Sequence, residues 1–404
     1  MALRPLLLPF LMSMAFVSAA CCFANSISTS FPSVFAFGAS MIDSGQNSVA
    51  MPLRSGAEFY PYGLDYFGKP VGRWSNGRTF FDLITEDIGY GLLDPYLKSI
   101  NGNFTYGVNF ASSGSTATNT SASGDKSGGL FCLLVQVDQF KEFQTSTLSI
   151  QQEHAASFYV GHQAKLKMAE HFSESIYFFE AGSNDYSIYG FTTDDYDTSA
   201  SVNTTIAYMK IAFEALYTVG ARIFIVMNVV PLGCAPGILA DNRGNGTYDA
   251  YGCRADFNDL ADLHNNRLAE LLEDLRADYP EAQWILFDAH SIYMDAVRNP
   301  SNYGVKYPLQ ACCGAGGPYN CRTEVSCADN PKYVNGTYLQ WTTCDDPSLY
   351  IVWDTIHPVE SFGYYLAQGV LTGSHLTPSF DILEAVQSIK TAVSSSDKAY
   401  QGEQ

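Results

Sequence analysis

Five apolar stretches of strand length recur along the chain, with polar or helix-like segments between them. They span residues 34–37, 107–111, 176–181, 223–230 and 284–288. Each stretch is rich in β-branched or aromatic residues and almost free of polar ones, which is typical of strands buried on both faces of a parallel sheet. The pattern therefore predicts five buried, mostly parallel strands.

Two of the intervening segments carry apolar residues at helical spacing. The apolar residues within 204–219 form one stripe along a predicted helix. Gly220, a type of residue that commonly ends helices, follows them. Residues 254–278 repeat the pattern and stop before Pro280. Strands that alternate with helices predict an α/β fold, here a three-layer α/β/α sandwich around a central, mostly parallel five-stranded sheet.

The composition of the two chain ends differs from that of the middle. Arg4, a short apolar run at residues 6–17 and the small residues up to Ala24 predict a cleaved signal peptide over residues 1–24. The run is too short to span a bilayer. Residues 25–391 are interpreted as a single domain with a Cys-rich insertion near 307–350, and residues 392–404 as a polar tail.

Cysteines and glycosylation sequons fit a secreted protein. Two of the ten cysteines, Cys21 and Cys22, lie in the predicted signal, and the remaining eight are an even number that favours disulfides in an oxidising compartment. The cluster from Cys312 to Cys344 lacks the paired C-x-x-C spacing of a zinc site, so we predict no metal. Five candidate N-glycosylation sites are present: Asn103, Asn119, Asn203, Asn245 and Asn335.

The charge balance narrows the range of partners. The chain has 22 basic and 41 acidic residues, a formal net charge of -19. Such a surface repels phosphate backbones and anionic lipid heads, which argues against nucleic acid and acidic membranes as partners. With 47% hydrophobic residues, most of the chain is too apolar to be disordered. We expect a monomer that acts on neutral esters or sugars.

Candidate catalytic residues follow three of the predicted strands. Ser40, Gly114 and Asn184 come after the first, second and third strands, and Asp354 and His357 stand near the C-terminus. Ligands of open α/β sheets bind beyond the carboxyl ends of the strands. A serine nucleophile needs a histidine base, and the base needs an acid on its other nitrogen. Two backbone N–H groups and the amide of Asn184 would be the donors for an oxyanion.

Several separate blocks, in the same order along the chain, resemble the plant GDSL esterase/lipase family, serine esterases of the SGNH-hydrolase type. They cover residues 37–45, 72–78, 106–111, 182–186, 231–234 and 353–357, and Cys312-Cys313-Gly314 resembles its early-nodulin-like and α-fucosidase branch. The resemblance implies a flavodoxin-like SGNH fold and no cofactor. It also implies Ser40 as nucleophile, His357 as base and Asp354 as its orienting acid, with an oxyanion hole made by Ser40, Gly114 and Asn184.

One departure from the family pattern bears on activity. The motif Gly-Asp-Ser-Leu reads Gly38-Ala39-Ser40-Met41 here, so a carboxylate beside the nucleophile is missing. Such an acid would hold neighbouring loop amides, and its loss would loosen the serine turn and slow the reaction.

Three functions follow from these residues. The leading hypothesis is a secreted carboxylic-ester hydrolase of the apoplast or cell wall that forms an acyl-enzyme from a small-molecule, lipid or acylated-carbohydrate ester. An acyltransferase would use the same residues, with an alcohol in place of water. A non-catalytic secreted glycoprotein is favoured by Ala39 and opposed by the intact Ser40, Asp354 and His357.

Overall fold

The computed structural model of the chain describes residues 33–51, 56–98, 100–119, 130–154, 169–186, 197–241 and 246–383. The predicted signal peptide and the predicted polar tail lie outside these residues. Among the described residues, no helix is both long enough and apolar enough to cross a membrane.

Five parallel strands form the centre of the molecule, as predicted. They are β1 (Val34–Gly38), β2 (Gly107–Asn109), β3 (Ile176–Glu180), β4 (Ile223–Met227) and β5 (Gln283–Phe287). Across the sheet they lie in the order β2-β1-β3-β4-β5, the flavodoxin-like arrangement. A sixth strand, which was not predicted, extends the sheet: residues Leu376–Thr377 pair antiparallel with β5.

Helices connect these strands. In chain order they are α1 (Gln46–Ala50), α2 (Leu64–Phe67), α3 (Phe80–Asp87), α4 (Leu133–His154), α5 (Thr198–Thr218), α6 (Pro236–Ala240), α7 (Ala255–Asp278), α8 (Ala289–Arg298) and α9 (Glu360–Leu371). Helix α7 agrees with its prediction to within one residue. Helix α5 begins earlier than the predicted residue 204, because the Asp197 side chain caps it by accepting the N–H of Ala200.

Side chains on the two faces of the sheet enter two separate cores. Phe35 and Phe37 of β1 pack with apolar residues of α4, α5 and α7. Val34 and Ala36 of the same strand point to the other face and pack with α3, α8 and α9. This alternation produces the predicted three-layer sandwich, and it explains why the strands carry almost no polar residues.

The segment that follows α8 contains short strands and two disulfides. The strands are β6 (Tyr307–Ala311), β7 (Cys313–Gly314), β8 (Lys332–Val334), β9 (Thr337–Leu339), β10 (Thr342–Thr343) and β11 (Tyr350–Val352), which makes Leu376–Thr377 β12. Cys312 pairs with Cys344 and Cys313 with Cys327. Cys312 and Cys313 are also part of the main core, so this segment packs firmly against the sheet domain.

The remaining cysteines and the sequons have varied surroundings. Cys234 pairs with Cys253, whereas Cys132 and Cys321 are buried and unpaired. Four of the five candidate glycosylation sites have exposed side chains, namely Asn103, Asn119, Asn203 and Asn335. Asn245 lies outside the described residues. Glycosylation of these asparagines stays a prediction.

The disulfide between Cys312 and Cys344 closes a long loop, so its removal should be costly. These cysteines are separated by 32 positions. Replacing both by serine is expected to lower the free energy of unfolding by about 3–4 kcal/mol, since the unfolded chain regains loop entropy. Chemical denaturation under oxidising conditions measures the change. Cys321→Ala, which breaks no disulfide, is the control, and an equal loss in both variants would contradict this account.

Candidate active site

A chain of hydrogen bonds joins a serine near the N-terminal end of the domain to an acid–base pair near its C-terminal end. Ser40 Oγ lies 2.7 Å from His357 Nε2, although 317 positions separate the two residues. On the other side of the imidazole, His357 Nδ1 lies 2.9 Å and 2.8 Å from the two carboxylate oxygens of Asp354. His357 and Asp354 are buried, and Ser40 is partly exposed. The three predicted residues therefore meet as a Ser–His–Asp array.

The end of β1 positions the serine. Gly38 pairs with Glu180 of β3, and a Cβ atom at position 38 would overlap the Glu180 carbonyl group. Its φ of 142° is also one that other residues rarely adopt. Gly38 therefore lets β1 and β3 approach closely up to their last residues, so that Ser40 stands at the carboxyl edge of the sheet.

Asp354 is held in place by several donors besides the imidazole. Its Oδ1 accepts the N–H groups of Ile356 and His357, each at 3.0 Å, and its Oδ2 accepts the hydroxyl of Tyr62 at 2.7 Å. Burial by itself would raise the pKa of Asp354, but its electrostatic interaction with the neighbouring imidazole and these hydrogen bonds keep that pKa below its ordinary value. Asp354 is therefore a carboxylate that receives the Nδ1–H of His357.

Aromatic rings surround this acid–base pair. The Trp74 ring lies against the imidazole of His357, with 5.0 Å between centroids. Tyr62 contacts both Trp74 and Trp353 edge-on, with centroid distances of 5.4 Å and 6.3 Å. These rings exclude water from one side of the array and restrict the rotation of the imidazole.

The predicted oxyanion donors lie on loops that are bonded to one another. The Asn184 amide donates one hydrogen bond to the Ser115 carbonyl at 2.9 Å, which leaves its second N–H for a ligand. Gly114 has a φ of 75°, a left-handed conformation that favours glycine. Among the described residues, the backbone N–H groups of Ser40 and Gly114 have no protein acceptor.

Two carboxylates connect these loops, of which Asp43 is buried and Asp185 is half-buried. Asp43 accepts the N–H groups of Gly45 and Gln46, both at 2.7 Å, and also that of Ser113 at 2.8 Å. Asp185 accepts those of Ala117 and Thr118 at 2.8 Å and 3.0 Å.

The side chains of Gln136 and Glu180 also bind the serine strand. Gln136 exchanges two hydrogen bonds with the backbone of Gly38, at 2.7 Å and 2.8 Å, and donates to Ser115 Oγ at 2.9 Å. Glu180 accepts the N–H of Ala39 through its side chain at 3.2 Å. Burial raises the pKa of Glu180 to about 8 and that of Asp43 to about 6, although backbone N–H groups oppose both shifts.

Sequence reasoning missed Tyr62, Gln136 and Glu180. Glu180 carried a signal, since an acidic residue ends a strand that is otherwise apolar and buried on both faces. Tyr62 and Gln136 carried none, because a tyrosine in a loop and a glutamine in a helix are ordinary residues.

The histidines without a predicted role include His264, which is buried with its Nδ1 2.6 Å from the Tyr186 hydroxyl. In the described part of the chain, no group of three or more His, Cys, Asp or Glu side chains is placed to hold a metal ion.

The raised pKa of Glu180 makes stability depend on pH. Its ordinary pKa is 4.5, so between that value and about 8 the folded chain holds a proton that the unfolded chain has lost. Stability then falls as the pH rises through this range. Burial lowers the pKa of His264 to about 3, which acts in the opposite direction but only below its ordinary value of 6.5. Above pH 6.5, Glu180 should therefore dominate.

We accordingly expect the free energy of unfolding to fall by about 2 kcal/mol between pH 6.5 and pH 8. Glu180→Gln cannot ionise, so the same pH change should have little effect on it. Denaturant titrations of both proteins at several pH values in this range measure the difference. An equally steep decline in Glu180→Gln would show that another group is responsible.

Comparison with known proteins identifies the family of the chain. Residues 34–367 match the sequence profile of the family described as GDSL-like Lipase/Acylhydrolase. The chain is 34% identical to GDSL esterase/lipase ENOD8 of Medicago truncatula over 359 residues, which cover 87% of this chain and 89% of that protein. It is 32% identical over 382 residues to a protein named Esterase from Hevea brasiliensis, with 91% and 90% covered.

These matches span most of the chain, and the family match includes the five parallel strands, the loops and the acid–base segment described above. They agree with the predicted resemblance, including its early-nodulin-like branch, since ENOD8 is among the relatives. The chain belongs to the GDSL-like lipase/acylhydrolase family and is a serine ester hydrolase.

Proposed function

We propose that this protein is a secreted carboxylic-ester hydrolase in which Ser40 is the nucleophile, His357 the general base and Asp354 its orienting acid. The observation that carries the proposal is the 2.7 Å contact between Ser40 Oγ and His357 Nε2. Asp354 on the opposite nitrogen supports it, because a carboxylate there selects the tautomer whose Nε2 is free to accept a proton.

The first half of the reaction forms an acyl-enzyme. Ser40 Oγ attacks the ester carbonyl carbon while its proton passes to His357 Nε2. The carbonyl oxygen becomes an oxyanion, and the N–H groups of Ser40 and Gly114 and the amide of Asn184 stabilise it. Each such donor contributes about 3–4 kcal/mol to transition-state stabilisation. The C–O bond then breaks, and the alcohol leaves with the proton from Nε2.

The second half restores the enzyme. His357 Nε2 takes a proton from a water molecule, whose oxygen attacks the acyl carbon and forms a second oxyanion in the same hole. Collapse of this intermediate breaks the bond to Ser40 Oγ, which recovers its proton from His357. The carboxylic acid leaves, and the cycle requires no metal or organic cofactor.

Secretion is supported by the disulfides. Six of the eight cysteines in the described part of the chain are paired, in the bonds Cys234–Cys253, Cys312–Cys344 and Cys313–Cys327. Several disulfides in one protein persist in oxidising compartments and are rare in the cytosol. They agree with the predicted signal peptide and with a location in the apoplast or cell wall.

Removing the nucleophile is expected to abolish turnover. Ser40→Ala should lower kcat/KM on p-nitrophenyl acetate and butyrate by about 10⁴-fold, because no other group can form the acyl-enzyme. Initial rates of glycosylated recombinant protein, measured over a series of acyl lengths, give the comparison. Ser291→Ala, at an exposed position in α8, is the control and should match the wild type. If wild type and Ser40→Ala are equally inactive on every ester, the non-catalytic hypothesis is favoured.

Tyr62 is expected to assist by holding Asp354. Tyr62→Phe removes the hydroxyl that donates to Asp354 Oδ2, so kcat should fall by about 3- to 10-fold as the carboxylate loses one fixed donor. Steady-state kinetics on p-nitrophenyl acetate measure the effect. The matched control is Tyr303→Phe, which removes a similar hydroxyl bond, to Asp295, at a site not involved in the array. A loss of the same size in both variants would argue against a role for Tyr62 in catalysis.

A further inference from the structure

The carboxyl group of Glu180 lies beneath the turn that carries the nucleophile. Glu180 is the last residue of β3 and is only 4% exposed. Its Oε2 accepts the N–H of Ala39 at 3.2 Å, and the Glu180 carbonyl accepts the same N–H at 3.1 Å. The N–H of Met41 also faces this carboxyl group and opposes the rise in its pKa. The two residues whose N–H groups face the carboxyl group therefore stand on either side of Ser40.

These two contacts restrain the peptide group that matters for the oxyanion. The N–H of Ser40 belongs to the peptide plane between residues 39 and 40. The N–H groups of Ala39 and Met41 belong to the planes immediately before and after it. Because each peptide group is rigid, the hydrogen bonds that hold the plane before it and the carboxyl group that faces the plane after it limit how the middle plane can rotate. The contacts thereby fix the direction of the Ser40 N–H and the height of the Ser40 side chain.

Stability alone does not explain an acid at this position. No basic side chain in the described ranges lies within ion-pair distance of Glu180, and burial raises its pKa to about 8. A buried carboxyl without a cation costs free energy that an apolar side chain of similar size would avoid. Its contacts are to the backbone that flanks the nucleophile, so we expect the acid to help position Ser40.

The serine motif lacks its usual acid, and this absence indicates what the contact between Glu180 and Ala39 does. Position 39 carries a buried methyl group where the family motif has a carboxylate. That carboxylate would have held loop amides around the serine. In the present structure the side chain of Glu180 reaches the N–H of Ala39, beside the serine, from the neighbouring strand.

We propose that Glu180 is a positioning residue that orients the Ser40 turn and takes the place of the acid absent at position 39. The proposal rests on the proposed function, since it assumes that Ser40 is the nucleophile. At neutral pH the side chain is mainly a neutral acid, and its Oε2 accepts the N–H of Ala39. Glutamine has the same shape and a comparable acceptor, so it should substitute for this role.

Four variants separate positioning from simple packing. Glu180→Leu keeps the volume of the side chain but removes its hydrogen-bond acceptor. Glu180→Asp keeps the carboxyl group but draws it back by the length of one methylene. Both should lower kcat on p-nitrophenyl acetate by about 10- to 100-fold with little change in KM, as expected for a nucleophile displaced by a fraction of an ångström. Glu180→Gln should retain at least about a third of wild-type kcat, because its amide oxygen accepts the same groups.

The fourth variant, Tyr177→Phe, is a matched control on the same strand. It removes a buried hydroxyl bond to the Phe172 carbonyl at the opposite end of β3. It should lower the melting temperature and leave kcat unchanged. An unchanged kcat in Glu180→Leu and Glu180→Asp, or equal losses in Glu180→Gln and Glu180→Leu, would overturn the proposal.

A double variant tests the relation to position 39. Ala39→Asp introduced into Glu180→Leu returns a carboxylate to the serine turn, and it should recover kcat by at least about 5-fold. In the wild-type background the same change places two buried acids side by side and should bring no gain. If the double variant does not recover activity, the proposal that Glu180 takes the place of the acid absent at position 39 is refuted.

Hydrogen–deuterium exchange provides a readout that does not depend on turnover. In the wild type and in Glu180→Gln, the amides of residues 39 and 41 should exchange slowly. In Glu180→Leu and Glu180→Asp the amide of residue 41 should exchange at least about 10-fold faster, because the carboxyl oxygen near it is lost or withdrawn. The amide of residue 39 keeps the Glu180 carbonyl as an acceptor and should change less. Equal protection in all variants would contradict the proposal even if the enzyme were inactive. The Ser40→Ala comparison on esters tests the proposed function separately.

Discussion

Hydrogen bonds from backbone N–H groups to buried carboxyl groups hold the catalytic loops together, and the site depends on them. Asp43 joins the serine loop to the loop of Gly114, Asp185 joins the loop of Asn184 to that same loop, and Glu180 supports the serine turn from β3. A buried acid is costly to place without such donors, and each hydrogen bond contributes about 0.5–1.5 kcal/mol to a neutral acid and about 1.5–3 kcal/mol to a charged one. The loops are therefore rigid although they contain little regular structure, and their free N–H groups are oriented before a substrate arrives.

The acid–base segment is held by a different set of interactions. Asp354 is fixed by Tyr62 and by the N–H groups of its own turn, while the backbone of Cys313 donates to the carbonyl of Trp353 at 2.6 Å. The disulfides of the neighbouring segment thus act on the position of Asp354 through its backbone. The hydrogen bond between Ser40 and His357 joins these two independently braced halves of the molecule. Its geometry depends on both the sheet edge and the Cys-rich segment.

Much of the fold could be predicted because the central strands are buried on both faces. Such strands must be apolar throughout, and that requirement is visible in the sequence without a partner strand. Strand β12 was missed because two residues carry no periodicity, and helix α5 was predicted too short because its first turns are rich in serine and threonine rather than apolar residues. The six-stranded sheet differs from the predicted five-stranded one only by this edge strand, which pairs antiparallel with β5 at the edge of the parallel strands.

The sequence by itself determined the chemistry available at the site: a serine, a histidine and an acid on segments that end or follow strands, with glycine where the backbone must turn. These features are local, so a linear pattern can carry them. Only the tertiary structure decided which other residues serve them. Glu180 lies 141 positions from Ala39, and Tyr62 lies 292 positions from Asp354. Contacts over such separations follow from strand order, register and loop packing, and no local pattern encodes these because they depend on the whole chain being folded.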